Sequence, residues 1–344
     1  MTKMEKIRIV SYGLGAVGTR IAKLLLEKEG IQIVGAIDIA KDKLGKDLGE
    51  VLELDKKFGV VVSNNADNVL SKARCDVVIH ATGSYLKDVY EQIAPLAKYG
   101  VNVISTCEEL SYPYLTEPEL AKKLEALGVK YAMTFLGTGI NPGFLMDTLV
   151  ITLTGVCQEI SKIKAVRVMN AATRRIPFQK KIGAGLSVSE FKEKITSGKI
   201  TGHVGLEQSI GMIASALRWD LDKIRVEQAK PVIAERQVES EAIQVKKGHV
   251  AGLRQAAHGI MEREDVITLD FQAYIGAEEE YDSITIDGVP PVHQRISPCV
   301  HGDHATVAII VNSIPKIMNA PPGLVTMKDL PIPSAAVEDM RKSI

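Results

Sequence analysis

Residues 6–18 read Lys-Ile-Arg-Ile-Val-Ser-Tyr-Gly-Leu-Gly-Ala-Val-Gly. The first seven residues of this stretch form a short β-branched run typical of a strand. Gly13, Gly15 and Gly18 follow in the spacing G-x-G-x-x-G. Residues 19–28 then repeat apolar side chains at Ile21, Leu24, Leu25 and Leu26, which is a helix pattern. Residues 31–38 are nearly continuously apolar, as expected of a strand buried on both faces, and end on Asp38, 20 residues after Gly18. Strand, turn, helix and strand in about 30 residues make a βαβ unit.

A glycine triplet of this spacing is common by chance, and its bland reading is an ordinary turn. Here it closes a strand, opens a helix and is followed by an acidic residue at the next strand end, which is the full dinucleotide fingerprint. Gly13 permits the tight turn, Gly15 lets a pyrophosphate approach the backbone, and Gly18 allows close helix–strand packing. Leu14, Ala16 and Val17 complete the turn, and the helix N-terminus offers free N–H groups to phosphate. Asp38 is placed to accept hydrogen bonds from the adenosine ribose hydroxyls, which favours NAD. Lys41 and Lys43 follow closely, and they either neutralise a 2′-phosphate or sit in a solvated loop. NAD, NADP and dual use all stay open.

The alternation continues. Strands are expected at 75–81, 101–105 and 129–135, and helices at 91–99 and 117–127, so the first part of the chain reads as a parallel, doubly wound (Rossmann) sheet. A long helix is expected over 141–155, starting at Pro142. Between about 160 and 300 the strand candidates (162–170, 225–237, 248–262, 266–275 and 283–288) come without regular intervening helices. That pattern predicts an α+β domain with a mostly antiparallel sheet. A helix is expected over 304–318, then a break at Ala320-Pro321-Pro322-Gly323 and a loosely ordered tail. The expected organisation is a dinucleotide-binding domain over 1–140, a substrate and dimerisation domain over 141–302, and a C-terminal return to the first domain over 303–344.

Composition narrows the function. The 344 residues carry 42 Lys+Arg against 42 Asp+Glu, so a basic surface for nucleic acid is not expected. No stretch approaches the ~18 uninterrupted apolar residues of a membrane span, since the best candidate, 144–156, is broken by Asp147. The N-terminus, with Lys3, Glu5, Lys6 and Arg8, runs straight into a strand, so a cytoplasmic location is expected. Cys75, Cys107, Cys157 and Cys299 lie far apart, so neither a disulfide framework nor a zinc ribbon is expected.

In open α/β sheets, ligands bind at the carboxyl ends of the strands. Three such ends are notable: Ala81-Thr82-Gly83, Ser105-Thr106-Cys107-Glu108-Glu109, and Gly137 to Gly143 with Asn141 and Pro142. Ala81, Thr82, Gly83, Cys107 and Asn141 are therefore candidate cofactor neighbours. Glu108 and Glu109 either serve the chemistry, by holding a cationic amine or taking a proton, or decorate the first turn of a helix. Cys107 as an acylating nucleophile is disfavoured, because acidic neighbours oppose a thiolate.

Four segments resemble those of the 2,4-diaminopentanoate dehydrogenases: residues 105–110 (Ser-Thr-Cys-Glu-Glu-Leu), 174–183 (Arg-Arg-Ile-Pro-Phe-Gln-Lys-Lys-Ile-Gly), 301–308 (His-Gly-Asp-His-Ala-Thr-Val-Ala) and 320–327 (Ala-Pro-Pro-Gly-Leu-Val-Thr-Met). The resemblance spans nearly the whole chain. The native amine dehydrogenases are similar, and the broader fold resembles dihydrodipicolinate reductase. The resemblance implies a homodimer and NAD(P)-dependent oxidative deamination of 2,4-diaminopentanoate to 2-amino-4-oxopentanoate and ammonia. It also implies that Glu108 is the catalytic acid/base, stabilising a cationic iminium and activating water.

The substrate carboxylate calls for a bidentate cation, and Arg174 and Arg175 are candidates. The alternative is a solvated basic loop with Lys180 and Lys181. The resemblance also implies that Asn170 and His203 line the substrate pocket, each with a structural role as its alternative, and His301 is a further substrate candidate. No metal site is expected: Asp303 in His301-Gly302-Asp303-His304 reads as an N-cap, and structural zinc normally needs four ligands.

Two rivals remain. A ring-imine reductase of the dihydrodipicolinate type would carry an adjacent His-His pair, and none of the seven histidines is adjacent to another. A non-catalytic NAD(H) sensor would call for a helix-turn-helix or a basic arm.

Overall fold

The computed structural model describes residues 5–344. Lys3, counted above among the N-terminal charges, lies outside the described residues. The chain forms two compact units, Met1–Phe144 with Gly302–Ile344, and Leu145–His301.

The first unit is built on a seven-stranded sheet. Its strands are β1 (Ile7–Tyr12), β2 (Ile31–Ile37), β3 (Val62–Ser63), β4 (Val77–His80), β5 (Asn102–Ser105), β6 (Thr134–Gly137) and the C-terminal strand Gly323–Val325. The order across the sheet is Gly323–Val325, β6, β5, β4, β1, β2, β3, and every pair is parallel. Parallel sheets are covered on both faces, which is why β4 and β6 are buried at every position. One face packs Val10, Val78, Val103 and Phe135 against Leu86, Val89, Ile93 and Leu124. The strand order reverses between β1 and β4, and this switch point opens a crevice at the strand carboxyl ends.

Local differences from the sequence reading have physical causes. The expected helix from Pro142 begins only at Thr148, and it spans Thr148–Thr154. Gly143 sits at φ +125°, which an α-helix cannot include, and Asp147 caps the later start by accepting from the Thr148 amide at 2.6 Å. The Asn141–Pro142 peptide is cis. The expected strand 129–135 is displaced, because helix Pro118–Tyr131 runs on until Ala132 turns left-handed at φ 52°. The helix expected from 91 starts at Leu86 and tightens into a 3₁₀ turn over Ala94–Tyr99. The helix expected over 304–318 is two helices, Gly302–Asn312 and Ile314–Met318, with Pro315 opening the second.

The tail is not loosely ordered. Met340 is fully buried, its amide donates to Glu29 O at 3.1 Å, and Lys28 Nζ donates to Ala336 O at 2.7 Å.

The second unit contains β7 (Glu159–Asn170), β8 (Lys223–Val226), β9 (Lys230–Ile233), β10 (Val238–Glu239), β11 (Gln244–Val245), β12 (Val250–Met261), β13 (Glu264–Tyr274), β14 (Tyr281–Val289) and β15 (Val292–Ile296). The main sheet runs β15-β14-β7-β13-β12-β8, with β9 also on β12 and β10-β11 as a separate ribbon. It is antiparallel except where β7 meets β13. The single strand expected over 225–237 is two short ones.

Three helices, Ile176–Lys181, Val188–Thr196 and Leu206–Leu217, occupy a region where no helix was expected. One had a legible start. Ser187 and Glu190 form a capping box, with Glu190 Oε2 accepting from the Ser187 amide at 2.8 Å. Helix Leu206–Leu217 packs on β12 where Gly259 leaves room, since a Cβ there would lie 3.0 Å from Ile210.

Candidate active site

The glycine turn occupies the carboxyl end of β1. Gly13 adopts φ +92°, and a Cβ on it would lie 2.4 Å from Ala81 O. A Cβ on Gly18 would lie 1.8 Å from Gly13 O, so the helix is pressed onto the turn. Gly15 differs: nothing lies within 4 Å of where its Cβ would be, so this backbone faces open space. Val17 supplies no side-chain cap to helix Gly18–Glu27; the Thr19 amide donates to Gly15 O at 3.0 Å, and the positive end of the helix faces the turn. A dinucleotide pyrophosphate therefore fits the turn on both shape and charge.

Asp38, at the end of β2, accepts from Leu14 N at 2.7 Å and from Ala40 N at 2.8 Å. Lys43 is not a solvated lysine; its Nζ donates to Leu14 O at 2.8 Å and to Asp38 at 3.3 Å. Burial opposes the charge on Asp38, but the Ala40 and Leu14 amides and the Lys43 ammonium outweigh it and hold the carboxyl below its usual range. Lys41 is exposed.

The strand ends after β4 and β5 are braced against each other. Thr106 N donates to His80 O at 2.9 Å, Glu109 N to Ser84 O at 3.1 Å, and Cys107 Sγ to Ser84 O at 3.2 Å. Glu109 is buried and accepts from Leu86 N at 2.7 Å, so this carboxylate caps helix Leu86–Ile93. Glu108 keeps partial access to solvent, at the position preceding the 3₁₀ turn Glu109–Ser111. Glu109 thus serves a helix, though the one that begins at Leu86 rather than the turn it opens itself. Burial first, then the charges of Glu108 and Glu109, push the Cys107 thiol up to about 12, which leaves it no thiolate at neutral pH.

Ala81 donates its amide to Tyr12 O at 2.7 Å, Gly83 abuts Val89, and Asn141 is partly exposed in the turn after β6. These cofactor candidates share the first unit with the glycine turn and Glu108.

The substrate candidates lie in the second unit. Asn170 Oδ1 accepts from Ala172 N at 3.0 Å and Gly276 N at 3.2 Å, which ties its amide oxygen to local backbone. Arg174 lies over the Phe178 ring at 4.6 Å and donates to Met169 Sδ at 3.4 Å. Gln179 Nε2 donates to Ala172 O and Arg174 O, holding the turn that carries Arg174 and Arg175. His203 stacks on Phe271 with ring centroids 4.2 Å apart. His301 follows Val300, whose backbone is clamped by the buried pair Arg167–Asp282: Asp282 accepts from Val300 N at 2.8 Å and Arg167 donates to Val300 O.

Asp303 is not the expected N-cap. Helix Gly302–Asn312 already includes it, and its carboxylate pairs with Arg20 at 3.7 Å. Among the described residues no group of three or more His, Cys, Asp or Glu could hold a metal ion, and no helix is long and apolar enough to cross a membrane.

Three further polar residues, His80, Gln92 and Ser105, stand at or against these strand ends without a role assigned above. For His80 and Ser105 the signal is a polar residue closing each of two apolar strands, Val77-Val78-Ile79-His80 and Asn102-Val103-Ile104-Ser105; Gln92, within helix Leu86–Ile93, carries none. The sheet pairs His80 with Ser105, and the imidazole is fully buried.

Burial, only partly offset by Gln92, pushes the His80 imidazole from 6.5 down to about 4. Burial, then Lys181 and Arg167, push His203 down to about 3. Between pH 6.5 and 4 the unfolded chain binds a proton that folded His80 refuses, so stability falls as pH falls through that window. The expected loss for His80 alone is about 3 kcal/mol. Urea unfolding midpoints measured from pH 7 to pH 4 should show this slope, and a flat profile would contradict it.

The first unit thus brings together an open glycine turn, an ionised aspartate at the second strand end and, two strands away, a partly exposed glutamate. Residues 144–344 match the model of the 2,4-diaminopentanoate dehydrogenase C-terminal domain, and residues 7–109 match that of the dihydrodipicolinate reductase N-terminus. The chain is 37% identical to 2,4-diaminopentanoate dehydrogenase of Acetoanaerobium sticklandii, over 99% of this chain and 98% of that one. Among solved structures, amine dehydrogenase from Mycobacterium smegmatis superposes with a TM-score of 0.84 at 30% identity, covering 96% of this chain and 98% of the other. Dipicolinate-bound dihydrodipicolinate reductase from Paenisporosarcina sp. TG-14, at 14% identity, 94% and 98% coverage and a TM-score of 0.52, shares the fold. The chain belongs to the 2,4-diaminopentanoate dehydrogenase family, oxidoreductases acting on CH–NH₂ groups.

Proposed function

We propose that this protein oxidatively deaminates 2,4-diaminopentanoate to 2-amino-4-oxopentanoate and ammonia, with reductive amination as the reverse. The carrying observation is the turn after β5. It spends Cys107 and Glu109 on local backbone and leaves Glu108 accessible, two strands from the glycine turn. Neighbouring strands lie about 4.8 Å apart, so the two turns are about 10 Å apart, within the reach of an extended dinucleotide. The 37% identity to a 2,4-diaminopentanoate dehydrogenase supports the choice of amine.

When bound, the nicotinamide supplies the hydride acceptor. Asp38 receives the adenosine ribose hydroxyls, and its charge disfavours a 2′-phosphate, so NAD is the favoured cofactor. Ala81, Thr82, Gly83, Cys107 and Asn141 line the cofactor's path. Glu108 steadies the cationic iminium left when the C4–H bond gives up its electron pair, then takes a proton from the attacking water. The carbinolamine returns its electrons to C=O and expels ammonia. Arg174 and Arg175 hold the substrate carboxylate, and Asn170, His203 and His301 are the further substrate-binding residues, His203 as a neutral ring. The protein acts in the cytoplasm as a homodimer.

The deciding experiment follows nicotinamide reduction with 2,4-diaminopentanoate and with monoamines such as cyclohexylamine, each with NAD+ and with NADP+. The diamino acid with NAD+ is expected to give the highest kcat/KM. Tight cofactor binding with no reduction by any amine would replace this reading with a cofactor sensor.

A second result should separate the arginines from the chemistry. Arg174→Ala and Arg175→Ala are expected to raise KM for the diamino acid about 10–100-fold, the worth of a charge-assisted bidentate bond, with cyclohexylamine unaffected. An unchanged KM in both variants would place the carboxylate elsewhere.

A further inference from the structure

Beneath the strand ends lies a polar chain, buried at His80 and Ser105 and reaching the surface at Thr82, whose two buried members the mechanism does not use. His80 Nδ1 is 2.8 Å from Ser105 Oγ, and Nε2 is 2.8 Å from Thr82 Oγ1 and 3.1 Å from Gln92 Oε1. Thr82 Oγ1 donates to Gln92 Oε1 at 2.8 Å, and Ser105 Oγ accepts from the Cys107 amide at 3.1 Å. Tyr12 closes one side edge-on, with ring centroids 5.2 Å apart.

One proton arrangement satisfies every atom. Gln92 Oε1 only accepts, so it takes the Thr82 hydroxyl and the His80 Nε2–H. Nδ1 is then the acceptor of a neutral ring and takes the Ser105 hydroxyl. With its proton committed, Ser105 Oγ is free to accept the Cys107 N–H. The donors thus run in one direction, from the Cys107 amide through Ser105 and His80 to Gln92. A second ring proton would reverse the Ser105 hydroxyl and break the sequence, and the depressed His80 basicity is consistent with a ring kept neutral.

We infer that His80 is a positioning residue: through Ser105 it pins the Cys107 amide, and so fixes where the adjoining Glu108 presents its carboxylate, while its Nε2 side sets Thr82 at the neighbouring strand end. The catalytic half of this inference rests on the role proposed for Glu108; the pinning itself does not. His80 sits on β4 and Glu108 beyond β5, 28 positions later in the chain, so one buried ring coordinates two of the three strand ends facing the crevice.

The test compares full-length wild type with His80→Phe, His80→Asn and Ser105→Ala. Asparagine places an acceptor near the Nδ1 position and should restore the Ser105 arm, whereas phenylalanine keeps the volume and no polarity. Hydrogen exchange of the peptide covering residues 105–110 is expected to rise about 10-fold in His80→Phe and Ser105→Ala, with the rest of the sheet unchanged, and to stay near wild type in His80→Asn. Amine oxidation in the same two variants should lose about 10–100-fold in kcat, as a misplaced catalytic group does, with NADH affinity within about 3-fold of wild type in Ser105→Ala, which leaves the Thr82 arm intact.

Unchanged exchange at 105–110 would overturn the inference, as would a rise spread over the whole sheet, or asparagine failing where phenylalanine fails. Should His80→Phe not fold, His80→Asn against His80→Ala decides: exchange at 105–110 near wild type in the first and raised in the second supports the pin, and equal exchange in the two overturns it. A wild type that oxidises no amine would sink the proposed reaction, and the exchange measurements would still judge the pin.

Discussion

Glu108→Gln is expected to leave NADH affinity within a few-fold and to cut amine turnover by about 10²–10⁴-fold, the usual weight of a positioned acid/base group. The amide keeps the size and a hydrogen-bonding oxygen, but it carries no charge for an iminium and cannot take a proton from water. Glu109 cannot substitute, because it is buried and bonded to the Leu86 amide. Cys107 cannot either, with a thiol pushed up to about 12. Stopped-flow hydride transfer beside steady-state kcat would separate the steps: loss only after hydride transfer assigns Glu108 to water activation, and loss in both adds iminium stabilisation. Turnover within a few-fold of wild type would remove Glu108 from the chemistry. Glu109→Gln is the control for position, and its effect should appear first in thermal stability.

Gly15→Val and Gly18→Ala should fail in opposite ways. No atom lies within 4 Å of the Gly15 Cβ position, so valine there costs the fold little. It does fill the space a pyrophosphate needs, and dinucleotide affinity should fall about 100-fold or more, close to 3 kcal/mol. At Gly18 even one methyl would meet Gly13 O at 1.8 Å, so the helix must move off the turn. Overpacking of that kind costs about 3 kcal/mol of stability, and Gly18→Ala should express poorly or melt early. Calorimetric titration with NADH and thermal melts of both variants check the pair. A Gly15→Val chain that binds NADH normally would put the pyrophosphate elsewhere.

The misreadings share a cause. Pro142 and the apolar run after it look helical one residue at a time, yet Gly143 at φ +125° and the Asp147 cap move the helix start to Thr148. Val129 belongs to helix Pro118–Tyr131 although it is 59% exposed and β-branched, because where a helix stops depends on the left-handed Ala132 and not on propensity. The tail from 328 onward is polar and proline-rich, and it is held by contacts to Lys28 and Glu29 about 300 positions earlier. Local composition cannot register such a partner.

What the sequence determined by itself is local and periodic. The β1–turn–helix–β2 unit, the distinct duties of Gly13, Gly15 and Gly18, and Asp38 at the strand end all lie within 32 consecutive residues, where spacing translates directly into geometry. Tertiary structure decided the choices between equivalent neighbours. It turned Glu109 inward onto Leu86 and left Glu108 accessible, tied Lys43 to the glycine turn, and set His80 against Ser105. Each of these depends on sheet register and on partners between 5 and 29 positions away, and a hydrogen bond exists only once the fold has brought donor and acceptor within reach.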